Sequence, residues 1–412
     1  MSARKVFRVA LRKFEPFEAA IRKQWEDFRR ATGCTLELQA EACDLHPLYE
    51  ELFEKQGLLR GDWDVAMLNT DWLAGVDQSG AALDLAPFIA QNPPDDYPEG
   101  WTPSLLRFQQ FEGRILGLPF HDGPESLIYR TDLFENPAEQ AAYQARFGRI
   151  LKVPETWEEF RDLARFFHRP EKNLYGTVFA AFPDGHNTVY DFCLQLWTRG
   201  GEVLESGRVK LDSSAAVRGL EFYRAMLNDA AACHPQSRTF DSVKSGWAFA
   251  RGEVALMINW FGFAAMAETV EGTNVKGRVG VATIPHDPAS RGASLNVYWL
   301  LSIGRGSPHA ETAYQFLRHA ASAEMDKLVT LEGGIGCRKK TWEDPEINRR
   351  LPFYHRLKDL HRDARELPRL AGWAAIASVI DELVLQVINT SEPVQSLAAA
   401  AQEEVERLLA RQ

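Results

Sequence analysis

A chain of 412 residues is longer than one hydrophobic core usually organises, so two lobes are expected. With 45% hydrophobic and 25% charged residues the composition is globular, which excludes a disordered, collagen-like or membrane-embedded chain. A net charge of −10 leaves no basic excess to displace counterions, so neither nucleic acid nor anionic lipid is expected as a partner.

The first ninety residues alternate strand and helix patterns. Residues 6–11 alternate apolar and basic side chains, and Phe17, Ile21, Trp25 and Phe28 then recur at helical spacing. Gly33 is placed to stop that helix, and residues 35–39 read as a second strand of period two. Leu48, Leu52 and Phe53 begin another amphipathic helix. Residues 64–68 are almost wholly apolar, as in a central strand covered on both faces, and residues 73–82 return to helix. This order implies a parallel, doubly wound sheet with right-handed crossovers.

A second α/β region follows. Residues 113–120 read as a turn and a strand, and residues 126–130 as another strand. Thr156 and Glu159 form a capping box ahead of the stripe Phe160, Leu163, Ala164 and Phe167. Strands are expected at 254–259, 280–285 and 297–303, and helices from residue 310 onward, the last at 373–388 and 393–409. No repeat or long linker separates the lobes, so the chain is expected to cross between them more than once.

Catalytic and metal signatures are wanting. There is no H-E-x-x-H, and His355 and His361 lie in an Arg-rich helix that reads as surface. The run GTNVKGRV from Gly272 ends without the Lys-Ser/Thr that a phosphate loop needs. Gly334 and Gly336 follow a helix rather than a strand, unlike a dinucleotide fingerprint. The five cysteines contain no C-x-x-C pair, so reduced, buried thiols are expected, with a Cys34–Cys43 bridge as an open alternative. No cofactor is expected. The aromatic supply stands out instead. There are eleven tryptophans, and Trp72, Trp260 and Trp373 fall at element ends, where open α/β sheets bind ligands. Flat rings beside hydrogen-bonding groups suit the apolar faces and hydroxyl rims of sugars.

Several runs, in this order, resemble the family 1 extracellular solute-binding proteins of ABC importers. They are WDVAMLNTDWL from Trp63, GAALDL from Gly80, EGRILGLP from Glu112, LIYRTDLF from Leu127, VPETWEEF from Val153, FARGEVALMI from Phe249 and GRGSPHAETAYQFL from Gly304. The resemblance spans nearly the whole chain. It implies two doubly wound α/β lobes with a ligand cleft between them, the class II periplasmic-binding-protein arrangement. The implied N-lobe is 1–121 plus 279–322 and the C-lobe 122–278 plus 323–412, with hinge crossings near 121–124, 276–281 and 320–328. Such a protein is no enzyme. It is expected to act as a monomer, closing on a small carbohydrate or polyol and delivering it to a membrane permease.

The same resemblance implies ligand contacts. Asp71 and Trp72 match the loop after the third strand, and His121 and Asp122 the first crossing. His186, Asn187, Tyr190 and Asp191 match a C-lobe loop and helix start. Asn259 and Trp260 follow a strand, Asn296 and Tyr298 occupy a segment that brings an aromatic or amide to the ligand, and Trp373 falls where a ring lies against a sugar. Lys13 and Phe14 follow the first strand, and their bulk is expected to favour mono- or disaccharide-sized ligands. The alternatives are the same fold holding ferric iron, a polyamine or a peptide, or a carbohydrate-active enzyme using Asp71 and Asp122 as its carboxylate pair. The beginning of the chain shows no secretion leader. A periplasmic or extracellular location with the leader removed is expected, and a cytoplasmic one is the alternative.

Overall fold

A computed structural model describes residues 5–370 and 372–410. The leader question turns on the start of the chain, where residues 1–4 lie outside the described residues. Two sheets organise the chain. Their strands, in sequence order, are β1 (Val6–Arg12), β2 (Glu37–Cys43), β3 (Val65–Asn69), β4 (Leu118–His121), β5 (Glu125–Arg130), β6 (Tyr175–Val178), β7 (Val254–Trp260), β8 (Val279–Ala282) and β9 (Trp299–Ile303). The principal helices are α1 (Glu15–Thr32), α2 (Leu73–Ser79), α3 (Trp157–Phe167), α4 (Asn187–Trp197), α5 (Ser214–Leu227), α6 (Phe261–Thr269), α7 (Ala310–Ala320), α8 (Ala323–Leu331), α9 (Trp373–Asn389) and α10 (Val394–Leu409).

The chain divides into two compact units. Unit 1 is Met1–Gly123 with Asn296–Arg350, and unit 2 is Pro124–Leu295 with Leu351–Gln412. The first passage between them runs from Gly123 to Pro124. Residues 279–282 pair with β5 inside unit 2, so the return comes only at Leu295–Asn296. Helix α8 packs on α1 and α7 of unit 1, which carries the last passage to Arg350–Leu351.

Unit 1 is a five-stranded sheet in the order β2–β1–β3–β9–β4. Strands β1, β2 and β3 are parallel, as their alternation with helices requires, whereas β9 runs antiparallel to both β3 and β4. The wholly parallel sheet expected from sequence is therefore a mixed one. Strand β9 enters after the excursion through unit 2, so no helical crossover dictates its direction. Helix α1 ends at Gly33, whose φ of 73° is left-handed and suits a residue without Cβ. The face spaced by Phe17, Ile21, Trp25 and Phe28 is buried. Trp25 stacks on Phe7 of β1 at 4.4 Å, and Phe316 of α7 meets both rings edge-on. Burying each such ring stabilises the unit by roughly 2 kcal/mol.

Unit 2 carries a four-stranded sheet, β8–β5–β7–β6, with β7 parallel to β6 and antiparallel to β5. The capping box at α3 forms in both directions: Glu159 N–H donates to Thr156 Oγ1, and Thr156 N–H to Glu159 Oε2, each at 3.2 Å. Gly176 lets β6 pass against this helix, since a Cβ there would stand 1.8 Å from the Ala164 carbonyl oxygen. Helices α9 and α10 pack together, and α9 also covers α4 and α5. All five cysteines are free thiols. The Cys34–Cys43 bridge is ruled out by geometry, because extended β2 separates the two by roughly 20 Å. Among the described residues no helix is long and apolar enough to cross a membrane.

Candidate functional site

Each unit gathers polar and aromatic groups at one sheet edge. In unit 1 this is the edge where β1, β3 and β4 end and β9 begins. Register sets Trp299 beside Asn69 on one side and His121 on the other. Asn69 accepts a hydrogen bond from Asp71 N–H at 3.3 Å, shaping the short turn that holds Asp71 and Trp72. Trp72 is half-buried and meets Trp299 (5.6 Å), Tyr49 (5.4 Å) and Phe53 (5.9 Å), all edge-on.

His121 accepts a hydrogen bond at Nδ1 from Ile335 N–H at 2.9 Å. That bond leaves the proton of the neutral ring on Nε2. Burial pushes the imidazole down to about 4, against the opposing pull of Asp122. His121 is therefore a neutral donor at physiological pH, held edge-on to Phe17 at 4.6 Å.

Other predicted residues of unit 1 have structural work. Asp122 and Asn296 are 1% and 0% exposed, and Asn296 Nδ2 donates to Asp122 Oδ1 at 3.1 Å. Tyr298 is also buried and donates its hydroxyl to Leu105 O at 2.6 Å. Strand alternation explains this placement: Tyr298 points into the unit, and its neighbour Trp299 stands with Trp72 at the edge. Lys13 and Phe14 follow β1 as expected and are exposed, with Lys13 3.8 Å from Asp44 and Phe14 edge-on to Phe17.

In unit 2 the edge lies where β6 and β7 end and β5 begins. Trp260 sits directly opposite Glu125 in the antiparallel register, which places both side chains on one face. Tyr190, in the first turn of α4, meets Trp260 edge-on at 5.6 Å. Asp184 fixes that helix start, accepting from His186 N–H, Asn187 N–H and Asn187 Nδ2 at 2.9, 3.0 and 2.6 Å. His186 and Asn187 thus position Tyr190 through Asp184. The Asn259 amide is likewise engaged within the fold, donating to Ser242 O and accepting from Trp260 N–H. Trp373 opens α9 half-buried, with its N–H on Leu370 O at 3.0 Å.

Two carboxyls stand beside this aromatic pair. Asp191 accepts from the Tyr223 hydroxyl at 2.6 Å, yet burial raises it to about 7. Glu125 is 6% exposed, and its Oε2 has no hydrogen-bond partner among the described residues. Burial first, and the Asp191 charge second, raise it well above the usual carboxyl range. Sequence reading missed both Glu125 and Trp299. The signal for Glu125 was present: an acid leading into an otherwise buried, apolar strand. A hollow of about 520 Å3 lined by Tyr129, Val281, Phe353 and His355 lies at the other end of β5 and holds none of these groups. Among the described residues no group of three or more His, Cys, Asp or Glu side chains is placed to hold a metal ion.

The profile of the bacterial extracellular solute-binding proteins matches residues 13–327. The chain belongs to this family. A solute-binding protein of this kind works with a membrane permease and is placed outside the cytoplasm by its family, and its task is to bind rather than turn over a solute. Among relatives, a probable ABC transporter-binding protein of Deinococcus radiodurans is 24% identical over 324 residues, covering 77% of this chain and 72% of its own. Among solved structures, a ribitol-bound ABC transporter solute-binding protein of Agrobacterium radiobacter has a TM-score of 0.83 at 23% identity, covering 98% of both chains. Maltose-bound MalE3 of T. maritima gives 0.82 at 23% identity, covering 98% of this chain and 99% of its own. These likenesses show the fold that the solute-binding proteins share.

Proposed function

We propose that this solute-binding protein captures a small sugar or polyol, as a monomer in the periplasm or outside the cell, and delivers it to the permease of an ABC importer. The observation that carries the reading is the Trp260–Tyr190 pair standing beside the unpartnered Glu125 carboxyl. An aromatic face packs against the C–H face of a sugar, and a carboxyl is the group that takes up its hydroxyls. Trp72, Trp299 and the neutral Nε2–H of His121 supply the corresponding chemistry in unit 1. Taken by itself, unit 1 offers Asp71, Trp72, His121 and Trp299 as candidate contacts, and unit 2, taken by itself, offers Glu125, Tyr190, Asp191, Trp260 and Trp373. The polyol ribitol and the sugar maltose, bound in the two solved structures of this fold, support the same class. A thermal-shift screen against sugars, polyols, amines, peptides and metal ions tests it. A bound ligand adds about RT ln(1 + [L]/Kd) to the free energy of unfolding and so raises the melting temperature, and a sugar or polyol should give the largest shift. Stabilisation by an amine or a ferric salt alone would sink the reading.

A further inference from the structure

The hollow of about 520 Å3 in unit 2 shares no residue with the edge described above. Its size falls within the roughly 300–1,000 Å3 of small-molecule sites. Tyr129, on its wall, stands roughly 13 Å along β5 from Glu125. Gly280, opposite Tyr129 in the register, makes room for its ring, since a Cβ there would stand 2.3 Å from Tyr129 Cζ. The Tyr129 hydroxyl makes no hydrogen bond among the described residues, and burial raises it above its ordinary 10, so it keeps its proton and remains a donor. Arg356 lines the same hollow, and its charge acts on that hydroxyl. Asp359 meets Arg356 Nη1 at 2.9 Å and is shared with Arg362, so most of the five N–H donors of Arg356 are left over. A further donor is backbone. β8 is an edge strand, and the bond from Thr131 N–H to Arg278 O fixes which of its residues face β5. Bonded pairs alternate in an antiparallel ladder, so Gly280 and Ala282 turn inward, and Val281 turns its N–H and C=O outward along the hollow. Val279 has the same phase, and its outward N–H meets Glu268 Oε1 at 3.3 Å.

We propose that this hollow is a second ligand site, built for a small organic carboxylate with an apolar body. The Arg356 guanidinium and the Tyr129 hydroxyl donate to the carboxylate, and the outward N–H of Val281 adds a donor beside them. Val153, Pro352 and Phe353 cover the apolar part. The charges around the hollow favour an anion. His355 and Arg356 line it, and its one acid, Glu155, has a side chain 74% exposed and held by Lys152 at 3.2 Å. Glu135 acts on Tyr129 from outside the lining. A neutral amide forfeits the charge-assisted bonds, and an amine is repelled by Arg356. None of these groups takes part in the proposed sugar contacts, so the two sites stand or fall separately.

Calorimetric titration of the full chain with benzoate, phenylacetate and hexanoate, each beside its amide, is the test. At neutral pH at least one acid should bind with a Kd of about 1 mM or tighter, and about tenfold tighter than its amide, the worth of one charge-assisted hydrogen bond. Arg356→Gln should abolish that preference with little change in the melting curve, because the side chain it replaces is partly exposed. Tyr129→Phe should weaken the acid severalfold. Crystals soaked in para-bromophenylacetate place the bromine by anomalous scattering, and it should lie against Val153 and Phe353. Acids that bind no tighter than their amides overturn the proposal. So does a preference that persists in Arg356→Gln, or a bromine found only elsewhere. No binding by any of the acids also overturns it and leaves the sugar reading untouched. The comparison of acid with amide uses the wild-type protein, so it decides the matter even where a variant fails to fold.

Discussion

Asn296 Nδ2 donates to Asp122 Oδ1 at 3.1 Å across 174 residues of sequence, joining two fully buried side chains within unit 1. Both stand where the chain passes between units, Asp122 just before Gly123 and Asn296 just after Leu295. One bond therefore ties the end of one passage to the start of another. Removing the donor leaves a buried carboxyl short of a partner, a loss of about 1–3 kcal/mol. Asn296→Ala should lower the midpoint of urea unfolding accordingly. A midpoint equal to wild type would show that solvent reaches Asp122 and replaces the bond.

Trp260 and Tyr298 should separate binding from stability. Trp260 is half-buried beside Tyr190 and Glu125, whereas Tyr298 is buried with its hydroxyl on Leu105 O. Trp260→Ala should weaken sugar binding by roughly ten- to a hundredfold, as loss of a central aromatic contact does, with little change in unfolding. Tyr298→Phe should do the reverse, costing about 1 kcal/mol of stability and leaving affinity intact. Titration of each variant, paired with its melting curve, distinguishes them, and a Tyr298→Phe protein with impaired binding would return that residue to the site.

Much of this fold is written in its periodicities. The Phe17–Ile21–Trp25–Phe28 stripe, the Gly33 stop and the Thr156–Glu159 box all rest on local chemistry, which sequence displays directly. The direction of β9 and the later passages between units rest on contacts between distant segments, which no local pattern encodes. The site divides along the same line. Trp72, Tyr190 and Trp260 follow their strands or open a helix and are legible as ends of elements. Tyr298, just before β9, and Trp299, its first residue, point to opposite sides of the extended chain, and a shift of one residue in the reading exchanges a core side chain for an edge one. Asn187 and Asn259 look like ligand amides until their partners in the fold are seen.

His121 should make unit 1 acid-sensitive. Its folded titration near 4 lies below the usual 6.5, so between those values the unfolded chain binds more protons than the folded one. Stability contributed by the neutral ring is present above pH 6.5 and lost as pH falls towards 4, by about 3 kcal/mol in the limit. His121→Gln retains an acceptor for Ile335 N–H and has no proton to gain. Urea unfolding at pH 4.5 and 7.5 should show a steeper acid loss in wild type than in the variant. Parallel losses would mean that the imidazole is protonated in the folded protein without penalty.

Asp191 should act in the opposite sense. Burial raises its folded titration to about 7, above the ordinary 3.8, although the Tyr223 hydroxyl favours the ionised form. Between these two values the folded chain holds more protons than the unfolded one, so stability is lost as pH rises through the window and levels off above 7. The full effect has an upper bound of about 4 kcal/mol, opposing that of His121 where the two windows overlap. Asp191→Asn keeps an oxygen to accept from Tyr223 and removes the titration. The variant should therefore gain on wild type as pH rises from 4.5 to 7, then hold a constant advantage to pH 8. Stability curves of the two proteins that stay parallel from pH 4.5 to 8 would show that Asp191 ionises in the folded state as freely as in the unfolded chain.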